Sequence, residues 1–321
     1  KIPGRIVELA HGAKVDMVLL SGDLFDGHVS GESVDLMRHT LRSFRVPVFI
    51  SPGNHDFCWE GSPWLTESWP ENVFVFTGEL ESVTIQGLDC RVYGAAFRSM
   101  DCPSLLEDFR AAGDEKYRVA VLHGDPMQRR SPYNPITSAQ VQNSALDYLA
   151  LGHVHKAGAF RAGETLCAWP GCPMGRGWDE TGEKGVCIVT LGEETQIQAV
   201  SLPTLRFYDL ETETRGDAEA AVDAVLPAVP GDDFYRITLI GCDRVDTAKL
   251  TRQFGVFPNL ELRDKTEPPL EIWEDADKDT LEGIYFGMLR KAMEQDPEHA
   301  GVIELAAEIS RKLLKGREVR L

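Results

Sequence analysis

No stretch of the chain approaches the roughly 20 consecutive apolar residues that a membrane helix needs, so none of it reads as membrane-spanning. Basic side chains are in deficit. The 33 Lys and Arg face 51 Asp and Glu, a formal net charge of −18 at pH 7, and the excess acid is spread over both halves. That balance excludes nucleic-acid binding through a blanket of positive charge, although it leaves room for a local basic groove. Paired cysteine spacing is also missing: the seven cysteines, at 58, 90, 102, 167, 172, 187 and 242, include no Cys-x-x-Cys. Reduced thiols and a cytoplasmic location are expected, rather than a disulfide framework or a structural zinc site. The glycine-rich stretch 170–178 lacks the Gly-Lys-Ser ending of a phosphate loop, which argues against a nucleotide site. Repeats and low-complexity tracts are absent.

What is present suits a globular α/β protein. The 321 residues, 43% of them hydrophobic, are enough for about two domains with ordinary cores. Residues 15–20 and 46–50 read as buried strands around a helix at 33–44, a strand–helix–strand crossover. Strands are predicted again at 118–122 and 146–151, with a hairpin near Gln86-Gly87, a helix at 105–112 and a loop at 125–135. Two further apolar runs, 185–191 and 196–202, read as paired strands of a second sheet. Beyond residue 203 alternating strand and helix patterns suggest a small α/β module. An acidic stretch at 271–279 reads as a solvated linker, followed by helices at 281–293 and 302–314.

Four of the predicted strands end in polar residues that can bind metal: Gly22-Asp23, Gly53-Asn54-His55-Asp56, His123-Gly124 and Gly152-His153-Val154-His155. Ligands gather at the carboxyl ends of strands in α/β sheets, so the four termini are expected to share one cleft. Imidazoles, an amide oxygen and a carboxylate form a mixed nitrogen and oxygen set that suits manganese, iron or zinc better than calcium or magnesium. A carboxylate such as Asp23 can bridge two cations.

This order of motifs resembles the calcineurin-like metallophosphoesterase superfamily. The longer forms, Ser21-Gly22-Asp23-Leu24-Phe25-Asp26 and Ser51-Pro52-Gly53-Asn54-His55-Asp56, resemble the SbcD-type DNA double-strand-break repair nucleases. The resemblance implies a two-sheet sandwich flanked by helices over 1–203, a small α/β capping domain over 204–268, and a linker with C-terminal helices over 269–321. It implies two divalent metal ions, manganese foremost, with Asp23 bridging them. Asn54, His123 and His153 would complete one site, and His155 would belong to the other. His55 would assist the leaving group as a catalytic residue, and Asp56 would orient either His55 or its loop. The implied reaction is hydrolysis of DNA phosphodiesters, with an SbcC-type coiled-coil ATPase as partner. The oligomeric state, including a homodimer, stays open.

The family opens with a strand ending in Asp-x-His, and no such motif stands in this sequence. Residues 1–13 read as the helix that should follow that strand, so an upstream segment carrying the motif is expected. The alternative is a site that lacks those two ligands. Candidate substrate contacts are His28, Arg129, Arg130 and Arg176, with Trp178 as a base-stacking surface or an inward-packed ring. Related nucleases place a histidine three residues after the bridging aspartate, where Asp26 stands here. Two other functions remain open on the same residues: a phosphatase or cyclic-nucleotide phosphodiesterase, and a non-catalytic scaffold with a degenerate site.

Overall fold

The computed structural model describes residues 2–27, 29–268 and 271–316. Two compact units divide the chain, Lys1–Tyr208 and Asp209–Leu321. The first opens with α1 (Ile2–Ala13), β1 (Val18–Leu20), α2 (Gly31–Ser43), β2 (Val48–Ile50), α3 (Pro63–Thr66) and β3 (Val73–Val75). Helix α2 starts where the Ser30 side chain accepts a hydrogen bond from the Ser33 amide, an N-cap that satisfies one orphan donor. Strands β1, β2 and β3 form a parallel three-stranded sheet in that order.

Strands β4 (Glu81–Ile85) and β5 (Cys90–Gly94) make the hairpin expected at Gln86-Gly87. After them come β6 (Tyr117–His123), α4 (Ser138–Asn143), β7 (Tyr148–Gly152), β8 (Gly158–Ala162) and β9 (Thr165–Trp169). These strands build a six-stranded sheet in the order β4-β5-β6-β7-β9-β8, in which β5, β6, β7 and β9 run parallel. A separate antiparallel pair joins β10 (Gly185–Thr190) to β11 (Gln196–Ser201).

Burial on both faces explains why β6 reads as an unbroken apolar run rather than an alternating one. Val119 and Val121 face a cluster with Phe49, Phe76, Val92 and Tyr148, which Val189 and Ile197 of the β10–β11 pair also join. Ala120 and Leu122 face the other way, against Leu149, Leu151, Val141 and Leu146. Each fully buried Val or Leu among them contributes about 1.5–3 kcal/mol. The β1–β2–β3 sheet therefore shares one core with the six-stranded sheet, and its other face packs on α1 and α2 through Val7, Leu41, Val48 and Ile50.

Residues 105–112 do not form the expected helix; 105–108 are a turn, with Asp108 at φ 58°, and 109–112 are irregular. Side chains take the place of helical partners there: Asn134 Oδ1 accepts from the Leu105 amide at 2.8 Å, and the Tyr93 hydroxyl bonds both the amide and the carbonyl of Ala112.

Strand β12 (Phe207–Glu213) begins in the last two residues of the first unit and runs into the second, where with β13 (Phe234–Ile240) and β14 (Leu260–Asp264) it forms a three-stranded sheet, order β12-β13-β14, accompanied by the short helices α5 (Ala218–Asp223) and α6 (Thr247–Gln253). Val222, Ile237, Leu239 and Leu250 are its core. Helices α7 (Leu281–Gln295) and α8 (Ala300–Leu314) follow. The stretch before them is not the solvated linker its charge suggests. Ile272, Trp273 and Ala276 pack with Phe286 and Ala307, and the buried Arg311 lies over the Phe286 ring while bonding the Ile272 and Glu274 carbonyls and Glu282. All seven cysteines are free thiols. Among the described residues no helix is long and apolar enough to cross a membrane.

Candidate metal centre

Two sheets, not one, supply the four strand ends. Ser21-Gly22-Asp23 and Gly53-Asn54-His55-Asp56 follow β1 and β2, whereas His123 ends β6 and His153 follows the neighbouring β7. Their approach is close enough to dictate glycine. A Cβ on Gly152 would lie 1.9 Å from the Ser21 carbonyl oxygen, and Gly22, at φ +83°, would place one 2.6 Å from the Gly53 nitrogen. Asp23 and His153 themselves have positive φ, 55° and 88°, the kind of backbone strain that concentrates at functional sites.

Four donor atoms converge at this junction. Asn54 Oδ1 lies 2.9 Å from His123 Nε2 and 3.2 Å from His153 Nδ1, and Asp23 Oδ2 lies 3.3 Å from His123 Nε2. Ligands about 2.0–2.1 Å from a shared transition ion stand about 3.0–3.4 Å from one another, so the spacing fits a cation among them. Among the described residues no cage is made by three His, Cys, Asp or Glu side chains alone; the Asn54 amide oxygen completes this one. Protonation also fits. His123 Nδ1 donates to the Ser21 carbonyl at 2.8 Å, leaving the Nε2 lone pair free. Burial pushes the His123 pKa down to about 4, and burial likewise lowers that of His153, so both rings are neutral near pH 7. Burial raises the Asp23 carboxyl above its ordinary range, a cost that a cation would offset. The Phe97 ring meets His123 edge-on and Tyr133 lies against His153, walling the site with aromatic surface.

Asp56 is buried, and burial raises its pKa. Its oxygens accept from the amides of Gly53 (2.7 Å), Asp23 (3.0 Å), Leu24 (2.8 Å) and Phe25 (3.4 Å), tying the loop after β1 to the loop after β2. Of the two tasks anticipated for it, the loop is the one its contacts serve. The carboxylate paired with His55 is Asp26, 3.1 Å from Nδ1, and the His55 side chain is 49% exposed. The His55 amide meanwhile donates to Asp23 Oδ1 at 2.9 Å.

His155 stands beside this cluster with Nδ1 bonded to Glu180 Oε1 at 2.6 Å. Arg176 reaches Asp26 and Glu180 at 3.5 and 3.7 Å. Arg129 and Arg130 are exposed in the loop after β6. His28 lies outside the described residues. Trp178 is half-buried and its ring meets Phe207 edge-on. Glu180 and Asp26 had no sequence signal as partners of His155 and His55, because each meets its histidine only through the fold, 25 and 29 positions away.

Residues 4–157 match the family model of the calcineurin-like phosphoesterases. The matched phosphoesterase segment runs from α1 to just past His155 and so contains every donor named above. Calcineurin-like phosphoesterases use a dinuclear metal centre. The chain is 31% identical over 199 residues to the uncharacterized metallophosphoesterase YhaO of Bacillus subtilis, covering 58% of this chain and 48% of that protein. It is 25% identical over 162 residues to the probable glycerophosphodiester phosphodiesterase GpdQ of Arcobacter nitrofigilis, covering 44% of this chain and 58% of that one. The chain thus spans about half the length of the curated relatives it matches. Family model and relatives together support the metallophosphoesterase superfamily, and neither reaches the SbcD-type branch.

Proposed function

We propose that this protein is a metal-dependent phosphodiester hydrolase whose substrate is DNA, working with an SbcC-type coiled-coil ATPase. The observation that carries the hydrolase reading is the convergence of Asp23, Asn54, His123 and His153 donors beside an exposed His55. Substrate and partner rest on the resemblance of the two loop motifs to SbcD-type nucleases.

Asp23, Asn54, His123 and His153 would hold one divalent cation, and Asp23 with His155 would contribute to a second, manganese being the favoured ion. Bound there, the cations supply Lewis acidity and lower the pKa of the attacking water. The chain's own residues do the rest. His123 and His153, being neutral, offer lone pairs without first losing a proton. Asp56 clamps the two loops so that Asp23 and Asn54 keep their spacing. His55, with Nδ1 paired to Asp26, would give the departing sugar oxygen its Nε2 proton from the doubly protonated ring, the remaining proton staying on Nδ1 against the Asp26 carboxylate. No covalent enzyme intermediate is needed.

A second reading, hydrolysis of a small phosphodiester, has its own support: one relative is named as a probable glycerophosphodiester phosphodiesterase. The deciding experiment offers the manganese-loaded protein labelled single-stranded and hairpin DNA beside glycerophosphodiesters, with and without the ATPase. DNA cleavage lost in His55→Ala at unchanged metal content, and lost with the metal in His123→Ala, supports the nuclease. Turnover of the small diester with DNA untouched selects the second reading, and equal metal loss in both variants refutes the division between ligand and proton donor.

A further inference from the structure

The loop between β9 and β10 carries a buried carboxylate, Glu180, bonded to His155 and to the backbone of Arg176. Glu180 is 4% exposed, yet it lies in a glycine-rich surface loop rather than in a core. Its Oε1 meets His155 Nδ1 at 2.6 Å and its Oε2 accepts the Arg176 amide at 2.8 Å. The same loop is fastened to the backbone of His155: the Cys172 amide donates to the His155 carbonyl at 3.3 Å, and a Cβ on Gly171 would strike that carbonyl at 2.4 Å.

We propose that Glu180 is a positioning residue with two tasks: it fixes the tautomer of His155, and it holds Arg176 in the cleft as the contact for the substrate's phosphodiester anion. This rests on the hydrolase reading above and adds to it the residues that present the substrate. An ionised carboxylate can only accept, so His155 must carry its proton on Nδ1. Nε2 is then the atom with a lone pair for a cation. Arg176 is 58% exposed, and its two carboxylate contacts, 3.5 and 3.7 Å, are longer than the 2.7–2.9 Å of a tight ion pair. Most of its planar donor fork is therefore unspent, on the side of the cleft where Asp26 holds His55. Glu180 is too buried to touch substrate itself, so its effect passes through these two neighbours.

The test separates this proposal from the hydrolase reading by a measurement that needs no turnover. Nitrogen-15 NMR of the histidine rings in the full chain should show His155 protonated on Nδ1. In Glu180→Gln, whose amide can donate to Nδ1, the Nε2-protonated form should grow. The second arm is inorganic phosphate binding to the manganese-loaded chain, measured by calorimetry. Arg176→Ala and Glu180→Ala should each weaken it about tenfold, the loss expected for a charge-assisted contact, while Arg176→Lys recovers part of it. An Nε2-protonated His155 in the wild-type protein overturns the proposal even if the variants fail to fold. So does phosphate affinity unmoved by both alanine variants. A wild-type chain that takes up no manganese overturns the hydrolase reading instead, and the NMR arm still decides the role of Glu180.

Discussion

Asp56→Asn removes one charge and one acceptor while keeping the shape of the side chain, and its cost follows from four hydrogen bonds. Oδ1 serves the Gly53 and Asp23 amides at 2.7 and 3.0 Å, and Oδ2 serves Leu24 and Phe25 at 2.8 and 3.4 Å. The new amide nitrogen must face one pair of donors, and the weaker pair, at Oδ2, is the less costly choice. Leu24 N–H then loses a good acceptor and Phe25 N–H a marginal one. An orphaned buried donor costs about 1–3 kcal/mol, and relief of the buried charge returns part of it, so a net loss of about 2 kcal/mol is expected. Asp56→Ala strands all four amides and should cost more, about 3–5 kcal/mol. Tryptophan fluorescence in a urea titration is the assay, because Trp64 and Trp69 pack on Phe25, one of the residues Asp56 holds. With a slope of about 2–3 kcal/mol per molar, the Asn variant should unfold about 1 M urea earlier. A stability equal to wild type, or an Ala variant no worse than Asn, would refute the claim that this carboxylate ties the two loops.

Three further outcomes are expected. Gly152→Ala should lose manganese binding in equilibrium dialysis and unfold earlier, since its Cβ would meet the Ser21 carbonyl at 1.9 Å and force β1 and β7 apart. Arg311→Ala should speed hydrogen exchange across 271–316, because a buried guanidinium that bonds the Ile272 and Glu274 carbonyls holds that segment onto α8. Glu115, hydrogen-bonded to Arg91, has its pKa held down to about 2, so the pair stabilises the fold above the ordinary carboxylate range near 4.5. Protonation as pH falls from about 4.5 to about 2 removes that contribution, and the stability difference between wild type and Glu115→Gln, followed by thermal melts, should close over that window.

The strand ends were legible because their signal is local. An apolar run followed by Gly-Asp, Gly-Asn-His-Asp, His-Gly or Gly-His-x-His announces a buried strand and a polar terminus within a few residues. Partners set by tertiary contact were not legible. Nothing near His55 announces Asp26 as its carboxylate rather than the adjacent Asp56, since the choice depends on how the β1 loop folds over β2. Residues 105–112 have helical spacing, but the Tyr93 hydroxyl and the Asn134 amide satisfy their backbone in place of helical partners. Charge hid the opposite case: the acidic 271–279 stretch buries Ala276 and half-buries Ile272 and Trp273, while Arg311 takes up the Ile272 and Glu274 carbonyls.

The junction of two sheets gives the apolar layer between them a chemical task. One sheet presents Asp23 and Asn54, the other His123 and His153, and the distance between the two pairs is set by Phe49, Phe76, Val119 and Val121 packed beneath them. On the proposed metal site, that layer would act as the spacer between its two halves. Thinning or thickening it by a methyl group would shift the spacing between the two pairs of donors and, on the proposed site, the size of cation they fit.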